Sequence, residues 1–174
     1  MLHRTARLTP YGRQLLVARI LIEGWPWTSN RLKRLVLSPK RYVVDPGLAA
    51  GVLGVDVDLV MPNGDLPGRL LDTFVAAQLR AELAVTTSRP RLHHVRQQQG
   101  RFEVDLLAEL AGGRLVGLEI KADAAPGADS ARHPAALRDR YPDTFVAGIV
   151  LHTGPRPYRL GDRLLAGPIS TLWA

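Results

Sequence analysis

Apolar and polar residues alternate over two short stretches near the middle of the chain, Phe102-Glu103-Val104-Asp105-Leu106-Leu107 and Val116-Gly117-Leu118-Glu119-Ile120-Lys121. Side chains two apart in a strand share a face, so both stretches predict strands. Glu119 and Lys121 then lie on one face and Leu118 and Ile120 on the other. A third strand-like run, residues 92–96, precedes them. The gaps Gln97-Gln98-Gln99-Gly100 and Ala111-Gly112-Gly113 suit hairpins, which predicts an antiparallel meander.

Helical spacing brackets the meander. Over residues 68–84, Leu71, Phe74, Val75, Gln78, Leu79 and Glu82 recur at three and four, a core-facing stripe with Asp72 at its edge. A second helix is expected to begin near His133, with Pro134 in its first turn, where the missing N–H costs nothing. Phe145, Val146, Ile149, Val150 and Leu151 then form a nearly continuous apolar run, the mark of a strand covered on both faces. From residue 68 the order is helix, three strands, helix, strand. That order predicts an α/β (α+β) domain with a mixed sheet and helices on both faces. Short extended pieces are expected over residues 157–160 and 169–173.

The upstream part is less regular. Residues 8–23 read as a helix, with Thr9 as cap and Pro10 in its first turn, running into an extended piece. Residues 24–30 read as a loop carrying Trp25 and Trp27. A basic cluster, Arg31-Leu32-Lys33-Arg34-Leu35, is followed by a strand over residues 41–45 and a short helix capped by Asp45, with Pro46 at its first position. Residues 55–67 are weakly patterned and hold a turn at Pro62-Asn63-Gly64-Asp65. They give the best boundary, dividing the chain into a region 1–66 and a domain 67–174.

Composition narrows the chemistry. The 174 residues suit one compact domain or one with a small appendage, and 46% hydrophobic content is enough for a core. No cysteine is present, which excludes disulfides and thiolate zinc sites. The opening residues carry no long apolar run, and the longest apolar stretch is too short to cross a bilayer. A cytoplasmic protein without a membrane partner is the expectation. The net charge of +7 suits an anionic partner such as nucleic acid, although a general preference for Arg accounts for it equally well. Of 23 cationic side chains only Lys33, Lys40 and Lys121 are Lys. A Lys beside a Glu in a strand is then a candidate for lysine's own chemistry, a compact ammonium of tunable pKa.

Asp105 across a hairpin from Glu119-x-Lys121 is the arrangement a metal-dependent phosphodiesterase needs. Mg²⁺ or Mn²⁺ takes a few carboxylate oxygens and keeps several waters. Asp105 and Glu119 would supply two of them, with Asp72 completing the site. Lys121 would orient or deprotonate the attacking water, or stabilise charge on the phosphate. The ordinary alternative is a solvated strand face with a cross-strand ion pair. His93 and His94 are adjacent in a strand and face opposite ways, so they do not form one metal site.

The set Asp105…Glu119-x-Lys121 resembles the motif of the PD-(D/E)xK nuclease-like superfamily. The segment Ser38-Pro39-Lys40-Arg41-Tyr42-Val43-Val44-Asp45-x-Gly47-Leu48-Ala49 resembles one family more closely. So do Gly68-Arg69-Leu70-Leu71-Asp72-x-Phe74-Val75, Glu103-Val104-Asp105 and Leu118-Glu119-Ile120-Lys121. That family is domain of unknown function 4143, carried at the C-terminus of archaeal-type AAA ATPases of bacteria and archaea. The resemblance implies a restriction-endonuclease-like core behind a small winged-helix-like region, a nucleic-acid partner, and an AAA-type ATPase as a further one. The winged-helix-like region would either touch nucleic acid through Arg31, Lys33 and Arg34 or brace the sheet, the favoured reading; Arg96 is a further candidate nucleic-acid contact. Three features depart from it: Asp72 stands where the family usually has Glu, Pro134 falls where the family runs an uninterrupted helix, and no Gly-x4-Gly-Lys-Ser/Thr phosphate loop is present. The chain is therefore not expected to be an ATPase on its own. The leading expectation is a metal-dependent nuclease. The alternative is an inactive module that binds nucleic acid or protein.

Overall fold

A computed structural model of the chain describes residues 21–30, 38–62, 64–96 and 102–173. Residues 8–20 of the stretch 8–23 expected to be a helix running into an extended piece, the basic cluster with Arg31, Lys33 and Arg34, and the first hairpin turn lie outside these.

The described residues build one mixed sheet and four α-helices. The strands are β1 (Leu21–Pro26), β2 (Lys40–Val43), β3 (Arg91–Arg96), β4 (Glu103–Glu109), β5 (Leu115–Lys121), β6 (Phe145–His152), β7 (Tyr158–Gly161) and β8 (Leu164–Pro168). Their spatial order is β2-β1-β3-β4-β5-β6-β8-β7. The helices are α1 (Pro46–Leu53), α2 (Val57–Val60), α3 (Leu66–Val85) and α4 (Arg132–Arg140).

The meander is present as expected, with β3–β4 and β4–β5 both antiparallel. β6 adds to β5 in parallel after α4, and β8 adds to β6 in parallel. The parallel β5–β6 pair needs a crossover, which α4 supplies. On the other side β1 pairs with β3 in parallel and β2 caps β1 antiparallel. The β1–β3 pairing crosses the boundary drawn at residue 66.

Each face of the sheet carries one core. Val75, Ala76 and Leu79 of α3 pack with Ile22, Leu106, Leu118 and Ile120. Leu137 of α4 packs with Val104, Leu107, Leu115, Phe145 and Val150 on the opposite face. α4 lies close to the sheet because two strand positions beneath it are glycine. A Cβ at Gly148 would stand 2.6 Å from Pro134 Cβ and 2.7 Å from Leu164 Cδ2, below any van der Waals separation. Gly117, its neighbour on β5, sits under Leu137.

Several expectations are revised. Residues 24–26 belong to β1 rather than to a loop. Trp27, just beyond it, packs edge-on against Tyr141 at 5.1 Å between centroids. Glu82 is exposed, and Leu83 takes the inward position on α3. Residues 169–173 form a 3₁₀ turn, the last sheet strand being β8 before it. The cap at Asp45 is present: its Oδ1 accepts the Leu48 N–H at 2.7 Å. α1 and α2 bury none of their own residues, and Val52, Val57 and Met61 stand in solvent.

Candidate functional site

The β3–β4 ladder contains an irregularity that places the first site residue. His93 pairs with Leu107 and Val95 with Val104. Two steps on β3 thus oppose three on β4, which puts a bulge at Asp105 and Leu106. The pleat changes phase there. Val104 packs under α4 and Leu106 under α3, although period two would put them on one face. The Asp105 side chain is turned toward β5, where its Oδ2 accepts the Ile120 N–H at 3.0 Å. The regular β4–β5 register starts at Leu106↔Leu118. The carboxylate therefore satisfies an amide beyond the last laddered pair.

At this end of the sheet a cleft of about 650 Å³ opens. Asp72 enters it from α3, Asp105 from β4, Glu119 and Lys121 from β5, and His133 from α4. Lys40, from β2, enters as well. Each carboxylate has a cationic neighbour. Lys121 Nζ donates to Glu119 Oε1 at 2.8 Å. Lys40 Nζ donates to Asp72 Oδ2 at 3.1 Å and lies 3.5 Å from Asp105 Oδ1. Tyr42 O–H donates to the Asp105 backbone carbonyl at 3.1 Å, and its ring centroid is 5.3 Å from Lys40 Nζ.

Burial and crowding perturb these groups. Glu119 is only 5% exposed. Burial, followed by the negative charge of Asp105, pushes its carboxyl up to about 7, with Lys121 acting in the opposite direction. Asp72 is raised by the same two causes in the same order. Burial opposes the charge on Lys40, but Tyr42, Asp72 and Asp105 together outweigh it, and its pKa rises. His133 is pushed down by burial, Arg132 and Lys121. The shift favours the neutral imidazole, whose Nδ1 lies 3.8 Å from Glu119 Oε1. The second oxygen of Glu119, Oε2, is buried without any hydrogen-bond partner. An uncompensated buried carboxylate oxygen is costly.

Of the residues singled out from sequence, Asp72, Asp105, Glu119 and Lys121 share this cleft, and Arg96 lines its rim, 3.6 Å from Glu103 Oε2. Arg31, Lys33 and Arg34 lie outside the described residues. Lys40, Tyr42 and His133 were not singled out as site residues. Lys40 was legible in one respect, being one of only three lysines. His93 and His94 are taken up by β1: their Nδ1 atoms lie 3.3 Å from the Trp25 carbonyl and 2.8 Å from the Gly24 carbonyl. A larger cavity, about 880 Å³, lies between β1, β3 and α3. Its walls are mostly apolar, and it brings no carboxylates together. The smaller cleft is the one with chemistry.

A family model described as domain of unknown function, DUF4143, matches residues 67–172. The chain belongs to this family. Asp72, Asp105, Glu119 and Lys121 fall within the DUF4143 span, whereas Lys40 and Tyr42 precede it. Two relatives are similar along nearly the whole chain: the uncharacterized proteins Mb2031c of Mycobacterium bovis and Rv2008c of Mycobacterium tuberculosis. Each is 33% identical over 159 residues, which is 91% of this chain and 34% of the relative. The chain thus spans about a third of the length of these relatives. No solved structure matches. Among the described residues no helix is long and apolar enough to cross a membrane.

Proposed function

We propose that the cleft is a divalent-cation-dependent phosphodiester site acting on nucleic acid, on a nuclease-like core of the PD-(D/E)xK kind. The observation that carries this reading is Glu119 Oε2, a buried carboxylate oxygen without a partner, in the same cleft as Asp105 and with Lys121 on the other oxygen.

The donor set suits a hard ion. Carboxylate oxygens and open space for water are what Mg²⁺ and Mn²⁺ take. Among the described residues no group of three or more His, Asp or Glu side chains is arranged to hold a metal ion. Asp105 and Glu119 would hold one as a pair, with water filling the remaining positions and Asp72 in support. The bound ion would polarise the phosphoryl group and supply hydroxide at neutral pH. The chain's own groups do the rest. Asp105 is held in place by the Ile120 amide. Positive charge arriving in the cleft would favour the ionised form of Glu119, against the burial and the Asp105 charge that push its carboxyl up to about 7. Lys121, about 38% exposed, stands at the mouth, where its ammonium meets either the attacking water or the phosphate oxygens. Arg96 and Arg69 on the rim offer charge to the backbone of a strand. The family resemblance adds an AAA-type ATPase to the proposal as a partner of this domain, and the relatives, about three times as long as the matched region, have room for further domains.

The test is cleavage of plasmid and single-stranded DNA with Mg²⁺ or Mn²⁺. Asp105→Asn is preferred to Ala, since it keeps an acceptor for Ile120. Asp105→Asn and Lys121→Ala should each lose about a hundredfold or more. Equal cleavage by wild type and both variants would overturn the reading.

One observation favours a second reading, a binding module without catalysis: the Lys40 ammonium already bridges Asp72 and Asp105. Such a module would retain DNA in a salt-sensitive manner, with no divalent ion required and no effect of Asp105→Asn.

A further inference from the structure

Lys40 reaches the cleft from β2, the edge strand of the sheet. Its ammonium stands between two carboxylates from different elements, 3.1 Å from Asp72 and 3.5 Å from Asp105. A single positive charge beside Asp105 does in part what a divalent ion held by Asp105 and Glu119, with Asp72 in support, would do. The two cations exclude one another, by volume and by repulsion at this range. The Lys40 side chain is equipped to leave. It is 26% exposed, its stem is a flexible four-carbon chain, and its contact with Asp105 is long for a charged hydrogen bond.

We propose that the Lys40 ammonium is the resident cation of the Asp72–Asp105 pair, and that a divalent ion such as Mg²⁺ or Mn²⁺ enters the cleft by displacing it. This rests on the metal-site reading given above and adds a competitor to it. One observation favours displacement over a permanent plug: Glu119 Oε2 is left without a partner although both lysines are in place. A divalent ion brings one more positive charge than the ammonium it replaces, and its bound water would offer that oxygen a partner. The lysine that holds Glu119 is a different one, so Lys40 can depart without disturbing that pair.

The test measures Mn²⁺ binding to the full chain by titration calorimetry, at fixed pH and ionic strength, for wild type, Lys40→Gln and Lys40→Arg. Lys40→Gln removes the competing charge and should bind Mn²⁺ about tenfold more tightly, while Lys40→Arg should remain close to wild type. A second readout needs no variant. Reductive methylation followed by peptide mass spectrometry should find Lys40 slow to react in metal-free buffer and faster with Mg²⁺ present. With only three lysines in the chain, its modification is resolved from the others. Equal or weaker Mn²⁺ binding by Lys40→Gln, or a Lys40 reactivity indifferent to Mg²⁺, would overturn the displacement while leaving the metal site standing. Absence of Mn²⁺ binding by every variant at millimolar metal would overturn both.

Discussion

Glu119 shows most directly how this cleft stores strain. Its carboxyl titrates at about 7 in the folded protein, against 4.5 in an ordinary setting. The folded state therefore binds this proton more tightly than the unfolded state. The group costs nothing below pH 4.5, and its ionisation destabilises the fold progressively up to pH 7 and fully above it. Glu119→Gln should remove that slope in metal-free buffer. The variant should match wild type near pH 4 and exceed it at pH 8 by about 1–3 kcal/mol, as read by urea unfolding at the two pH values. A wild type as stable at pH 8 as at pH 4 would show that the buried carboxyl is compensated. At this scale the sequence was readable for Asp105, Glu119 and Lys121, because a two-residue period and a hairpin bring them together. It was not readable for Lys40, whose partners lie 32 and 65 positions away. The scarcity of lysine, which drew attention to Lys121, applied equally to Lys40.

Among the elements, α4 depends on what it lies upon. Pro134 and Leu137 sit over Gly148 and Gly117, and this close seating brings His133 to the edge of the cleft. Gly148→Ala should force the helix outward and destabilise the protein by about 1–3 kcal/mol, as overpacking does, measured by chemical denaturation. An unchanged midpoint would mean that Leu164 and Pro134 yield at no cost. The long α3, the three-stranded meander, the proline in the first turn of α4 and the apolar β6 were all visible in the pattern, since each has a strong period or a clear breaker. β1 was hidden by Gly24 and Pro26, which read as turn residues but sit where the strand pairs with β2 and β3. β8 was hidden by Gly167 and Pro168, which read as turn residues, and the bulge in β4 by the regular look of its alternation.

Considered whole, the sheet runs unbroken across the start of the DUF4143 match at residue 67. β1 covers the edge of β3, and Ile22 and Tyr42 contribute to the core beneath α3. A fragment of residues 67–174 would lose both strands, leave the His93 and His94 rings without their carbonyl partners, and expose β3 as a free edge. It should unfold at lower denaturant than the full chain and self-associate, as seen by size-exclusion chromatography. A monomeric fragment of undiminished stability would show that the sheet is complete without β1. The same view locates the cleft at one end of the sheet, drawing on β2, α3, β4, β5 and α4. Its assembly is therefore a property of the finished fold rather than of any one motif.

The bulge at Asp105 and Leu106 carries this further. It makes the position of the carboxylate a matter of counting: three steps on β4 against two on β3, between the fixed pairs His93–Leu107 and Val95–Val104. Deleting one residue there could leave every acidic side chain in the chain and still restore the even pleat, carrying residue 105 away from Ile120. In β4 the length of the segment is as much a part of the site as the identity of its aspartate.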